Sequence, residues 1–158
     1  MLLGLALLQT SNSPFFTILG VQADLVLVAV IGWSILRGLG EGLVWAVIGG
    51  AALVLLSGGP FGAATIALIT TCLLASLGYG RVFGGQVVIP LAITFPLSLV
   101  YYVVYAMLLS VLNHPVDWLL ALSDVILPAS LLNIAAMFLV FPFLRLLHRR
   151  TGREEISW

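Results

Sequence analysis

Charge is what this chain has least of: six arginines, six acidic residues and no lysine make up 8% of its 158 residues, against 62% apolar. An ordinary soluble domain is about 25% charged and about 45–50% apolar, so too little charge is present to cover a water-facing surface. The chain reads as an integral membrane protein. Six arginines balanced by six acidic residues are too few for the extended basic face that nucleic-acid binding needs. Cys72 is the single cysteine, so a disulfide scaffold is excluded. Cys72 with the distant His114 and His148 gives no metal-ligand spacing, and no cofactor is implied.

What is present is a succession of apolar runs separated by polar or Gly/Pro breaks. At ~20 residues per span the length holds roughly six transmembrane helices and no soluble domain of useful size. The first run, Met1 to Leu8, precedes Gln9-Thr10-Ser11-Asn12-Ser13-Pro14. Eight residues rise only ~12 Å as a helix, so this span is short and tilted or continues toward Leu19. The second span is expected from Asp24 to Leu36, with a break over Arg37-Gly38-Leu39-Gly40-Glu41-Gly42. The third runs from Leu43 to Leu56 and ends at Ser57-Gly58-Gly59-Pro60, a tight-turn signal. The fourth covers Phe61 to Leu77, and the fifth, Val87 to Leu112, carries Pro90 and Pro96, which should bend it. A mixed segment from Trp118 to Leu127 reads as a short interfacial helix. The sixth span is Leu131 to Leu147, so the chain divides into a membrane domain, 1–147, and a short basic tail, 148–158.

With six spans, the breaks at Arg37 and Arg81 fall on the same side as Arg145, Arg149, Arg150 and Arg153. The positive-inside rule makes that side cytoplasmic, together with both termini. An odd number of spans would move only the N-terminus.

Lipid is as apolar as leucine, so small residues that let backbones approach are the packing signal between membrane helices. Gly42, Ala46 and Gly50 recur every four residues in the third span, as do Ala63, Ala67, Thr71 and Ala75 in the fourth. Joined by a tight turn, the two read as a close antiparallel hairpin, although Gly and Ala are common in membrane helices generally. Tyr101, Tyr102 and Tyr105 either anchor at the outer interface, which is the first reading, or hydrogen-bond within the bundle. Asn133 is the strong polar group placed deepest in a span. Asp24 opens the second span, where it either caps the helix N-terminus or meets a donor on a partner. No ionisable group is placed near mid-span, no arrangement of Ser, His and Asp resembles a nucleophile elbow or intramembrane protease pair, no relay of carboxylates is present and no span carries a polar stripe. Catalysis and ion conduction are therefore not expected.

The order of these residues resembles the MreD family of rod shape-determining membrane proteins. The resemblance is carried by Leu19-Gly20-Val21-Gln22-Ala23-Asp24-Leu25-Val26-Leu27, Arg37-Gly38, Gly42, Gly49-Gly50-Ala51-Ala52-Leu53 and Leu56-Ser57-Gly58-Gly59-Pro60-Phe61-Gly62. Leu127-Pro128, Asn133, Phe141-Pro142 and the basic tail resemble the family's last span. Ala23 stands where the family usually has proline and Val54 where it commonly has an acidic residue, so no role of that carboxylate carries over.

The resemblance implies a non-enzymatic scaffold of the bacterial elongation complex, in the cytoplasmic membrane, supporting peptidoglycan synthesis and cell shape. It implies MreC as partner, through MreC the RodA glycosyltransferase and a class B penicillin-binding protein, and a link to MreB on the cytoplasmic face. The partner groove is expected on the outer side, at Asp24, Ser57, Gly58, Gly59, Pro60, Gly62 and Trp118. Arg145, Arg149 and Arg150 are read first as an anchor to anionic lipid. The alternative is the substrate-binding (S) subunit of an energy-coupling-factor vitamin transporter, also a compact Gly-rich six-helix bundle, with Asp24, Asn133, Trp118 and the tyrosines lining its pocket.

Overall fold

A computed structural model describes residues 17–18, 21–22, 24–57, 62–77 and 88–151. The expected first span, the turn at Gly58, Gly59 and Pro60, and Arg81 and Arg153 lie outside the described residues. Two-residue strands β1 (Thr17–Ile18) and β2 (Val21–Gln22) pair antiparallel. Five helices follow among the described residues: α1 (Leu25–Arg37), α2 (Leu39–Ser57), α3 (Ala63–Ser76), α4 (Val88–Val111) and α5 (Trp118–Thr151).

The short helix α1 is the hub. Every residue from Leu25 to Ile35 is buried, and α1 packs against all four other helices. An all-round apolar sequence is compatible with burial on every side, which the packing of four helices around α1 realises. Its 13 residues rise ~20 Å, less than the ~30 Å of a bilayer core. Among the described residues, the helices long and apolar enough to cross a membrane are α4 and α5.

A single residue joins α1 to α2. Gly38 has φ 82° and ψ −168°, a region open almost only to glycine. Its N–H donates to the Ser34 carbonyl at 2.9 Å and closes α1. The break that the sequence spreads over six residues is thus one residue long, and Gly40, Glu41 and Gly42 belong to the first turn of α2. α2 then runs back along α1 and α3 returns along α2: a Cβ on Gly49 would meet Val26, and one on Gly50 would meet Thr65.

Two further expectations change. Pro90 lies in the first turn of α4, where its missing N–H breaks no intrahelical bond, and Pro96 is the proline in the helix interior. The segment from Trp118 to Leu127 is no separate interfacial helix but the beginning of α5. The continuity depends on a π-helical stretch, Ala121–Ile126, in which the Leu127 N–H bonds the Leu122 carbonyl five residues back. Pro128 follows directly; it lacks an N–H and its ring would crowd the carbonyl four residues earlier. The widened turn relieves that conflict without ending the helix.

Candidate interaction surfaces

Polar side chains concentrate where α1 begins. Asp24 is 6% exposed and caps α1, its Oδ1 accepting the Leu27 N–H at 3.0 Å. Its own N–H donates to Asn133 Oδ1 at 2.8 Å. Asn133, fully buried on α5, donates from Nδ2 to Ser98 Oγ at 3.2 Å and to the Tyr102 hydroxyl at 3.3 Å. One amide thus ties the start of α1 to α4 and α5. Tyr101 is buried, edge-on to Tyr102 at 5.1 Å and stacked with Tyr105 at 6.1 Å. All three tyrosines lie within electrostatic reach of Asp24. Of the two roles open to the tyrosines, Tyr102 takes the internal one through its bond to Asn133, and Tyr101 is buried with its ring stacked on Tyr105.

Gly42 and Gly50 sit at close contacts between helices. A Cβ on Gly42 would collide with Ser34 and Cys72, and one on Gly50 with the backbone of Thr65. Ala46, Ala63, Ala67, Thr71 and Ala75 are all buried. Thr71 turns its hydroxyl back to the Ala67 carbonyl at 2.8 Å, so it meets its neighbours with a methyl group. Ser57 ends α2, and Gly62 precedes α3 with φ 89° and open space where a side chain would stand. Near the end of α2 and the start of α3 an apolar groove is lined by Ala51, Val54, Leu55, Gly62 and Thr65.

At the same end, the α4–α5 hairpin extends past the start of α1. Asn133 marks the level of Asp24, and α5 begins at Trp118, some ~22 Å earlier along its axis. This tip is apolar and exposed: Val111 78%, Leu119 86% and Trp118 47%. Asp117 and Asp124 accompany it with no arginine among the described residues of that end.

The opposite end collects the arginines. Arg37 Nη1 pairs with Glu41 Oε1 at 3.1 Å, and its guanidinium lies 5.4 Å from the Trp33 ring. Trp33 stacks on Trp45 at 4.6 Å and donates from Nε1 to Glu41 Oε2 at 3.2 Å. Arg37 Nη2 donates to Thr151 Oγ1, which puts the end of α1 beside the end of α5. Sequence reasoning missed this cluster. The four-residue spacing of Trp33, Arg37 and Glu41 was its signal, hidden by the assumption of a long loop after Arg37.

Among the described residues no group of three His, Cys, Asp or Glu side chains is placed to hold a metal ion. Asp24, Asn133 and Tyr102 bond to their own bundle, while Trp118 stands apart on the exposed tip. Compared with known proteins, the chain matches over residues 1–151 the family described as rod shape-determining protein MreD. No curated protein and no solved structure matches.

Proposed function

The chain belongs to the MreD family, a shape-determining family of membrane proteins rather than an enzyme family, and from that premise we propose that it is a non-enzymatic scaffold of the elongation complex. In this reading it sits multi-pass in the bacterial cytoplasmic membrane with its arginine end and C-terminus in the cytoplasm. It binds MreC on the outer side and through MreC supports the RodA glycosyltransferase and a class B penicillin-binding protein in peptidoglycan synthesis. A contact with MreB falls on the arginine end.

The observation that carries the partner assignment is the exposed tip of α4 and α5. A single-span partner needs an apolar surface at the membrane boundary, and Val111, Trp118 and Leu119 provide one. The groove lined by Ala51, Val54, Leu55, Gly62 and Thr65 lies toward the same end. Asp24 serves there indirectly, since its cap and its bond to Asn133 hold α1 level with the partner face. No observation favours the vitamin-transporter reading.

Co-expression with MreC tests the proposal. A stable complex is expected in nanodiscs, with Trp118→Ala and Leu119→Ala together weakening it roughly tenfold, as loss of an exposed aromatic anchor does. Two intact proteins that form no complex in several detergents and in nanodiscs would sink the reading.

A further inference from the structure

Late in α5 the described residues form a second groove, of about 210 Å³, lined by Phe141, Pro142, Arg145, Leu146 and Arg149. Positions 141, 145 and 149 follow one another at four-residue spacing, so the two guanidinium groups stand one turn apart above an apolar floor. The ion pair seen among the described residues is Arg37 with Glu41, so no described carboxylate pairs with Arg145 or Arg149. The other described acidic residues, Asp24, Asp117 and Asp124, are at the far end of the bundle. Around the groove the exposed surface changes character. Leu139, Phe143 and Leu146 are 70%, 57% and 51% exposed, and Arg149 and Arg150 follow within one turn. That change marks the boundary between acyl chains and headgroups.

We propose that this groove binds the headgroup of an anionic phospholipid. The phosphate bridges the Arg145 and Arg149 guanidinium groups, which present paired N–H donors to its oxygens. The proximal acyl chain lies along Phe141, Pro142 and Leu146. Helical side chains lean toward the N-terminus of their helix, so both arginines lean back toward the bilayer, at phosphate depth, rather than out into water. The interaction is more specific than a topogenic charge, because it requires two particular arginines and the apolar strip between them.

The test is thermal unfolding of the full chain in a neutral detergent, titrated with phosphatidylglycerol, with phosphatidylcholine and with inorganic phosphate. Phosphatidylglycerol is expected to raise Tm, and the other two are not. Arg145→Gln with Arg149→Gln should move the half-maximal phosphatidylglycerol concentration at least ~10-fold upward, on the scale of two basic contacts to an anionic lipid. Leu146→Trp, which fills the apolar strip and leaves both charges, should do the same, while Arg150→Gln should behave as the parent. Should the double variant not fold, Arg149→Gln alone at its exposed position takes its place, with a smaller shift in the same direction. Equal protection by phosphatidylcholine or by inorganic phosphate overturns the proposal. So does an unchanged titration in the groove variants, or an equal loss in Arg150→Gln.

Discussion

Asn133 holds three helices with one side chain, accepting from the Asp24 N–H and donating to Ser98 and Tyr102. A membrane interior offers no water to replace those partners, so truncation leaves a buried N–H and two hydroxyls to find new bonds. Polar contacts between membrane helices average about 0.6 kcal/mol, and unsatisfied buried groups cost about 1–3 kcal/mol. Asn133→Ala is therefore expected to destabilise by about 2 kcal/mol in detergent unfolding, and Tyr102→Phe by less than 1 kcal/mol, since it removes one of the three bonds. An unchanged transition for Asn133→Ala would remove Asn133 from its place as the joint of α1, α4 and α5. The residue itself was legible in the sequence as the deepest polar group of its span. Its three partners were not, because they lie 31, 35 and 109 positions away.

Among the helices, glycine separates into positions that are required and positions that are free. Gly38 alone connects α1 to α2 and holds φ 82° with ψ −168°, so Gly38→Ala should cost about 1–3 kcal/mol by backbone strain. At Gly50 the obstacle is the neighbour: a Cβ runs into the Thr65 backbone, and Gly50→Ala must push α2 from α3 at about 1–3 kcal/mol. Gly40 has nothing within 4 Å of its Cβ position and sits in a helix, so Gly40→Ala should be neutral or stabilising by up to about 1 kcal/mol. Unfolding transitions of the three variants, measured side by side, check the ranking. A Gly40→Ala cost equal to that of Gly50→Ala would contradict the packing argument. The four-residue spacing gave away the α2 and α3 ridges in advance, whereas the one-residue joint at Gly38 and the π turn before Pro128 were hidden. Each is a local solution that neighbouring helices hold in place, and composition alone reads such residues as loops.

For the molecule as a whole, polarity along the bundle axis is the organising property. The end of α1 meets the end of α5 through Arg37 and Thr151, while Asp24 and the α4–α5 tip lie at the other end. The proposed orientation predicts opposite labelling of the two ends in intact cells by a membrane-impermeant maleimide. His114→Cys, at an exposed position before α5, should label directly. Arg150→Cys should label only after permeabilisation. The parent chain is the control, because its one cysteine, Cys72, is buried and should stay unlabelled. Labelling of both variants from the same side would refute the orientation.

The scarcity of charge and the long apolar runs already determined, from the sequence alone, that this chain belongs in a membrane, since the transfer free energy of a span is set by its own consecutive residues. The same local information located most helix boundaries, the Asp24 cap and the small-residue ridges, each a matter of neighbours within a turn or two. Only the tertiary structure decided that α1 is the centre of the bundle, that the tyrosines turn inward and that the final helix is continuous through its π turn. It also decided that Arg37 pairs with Glu41 and that Arg145 and Arg149 share a groove. Those outcomes depend on which faces of distant helices meet, and a linear pattern of apolar residues does not specify that when nearly every face is apolar.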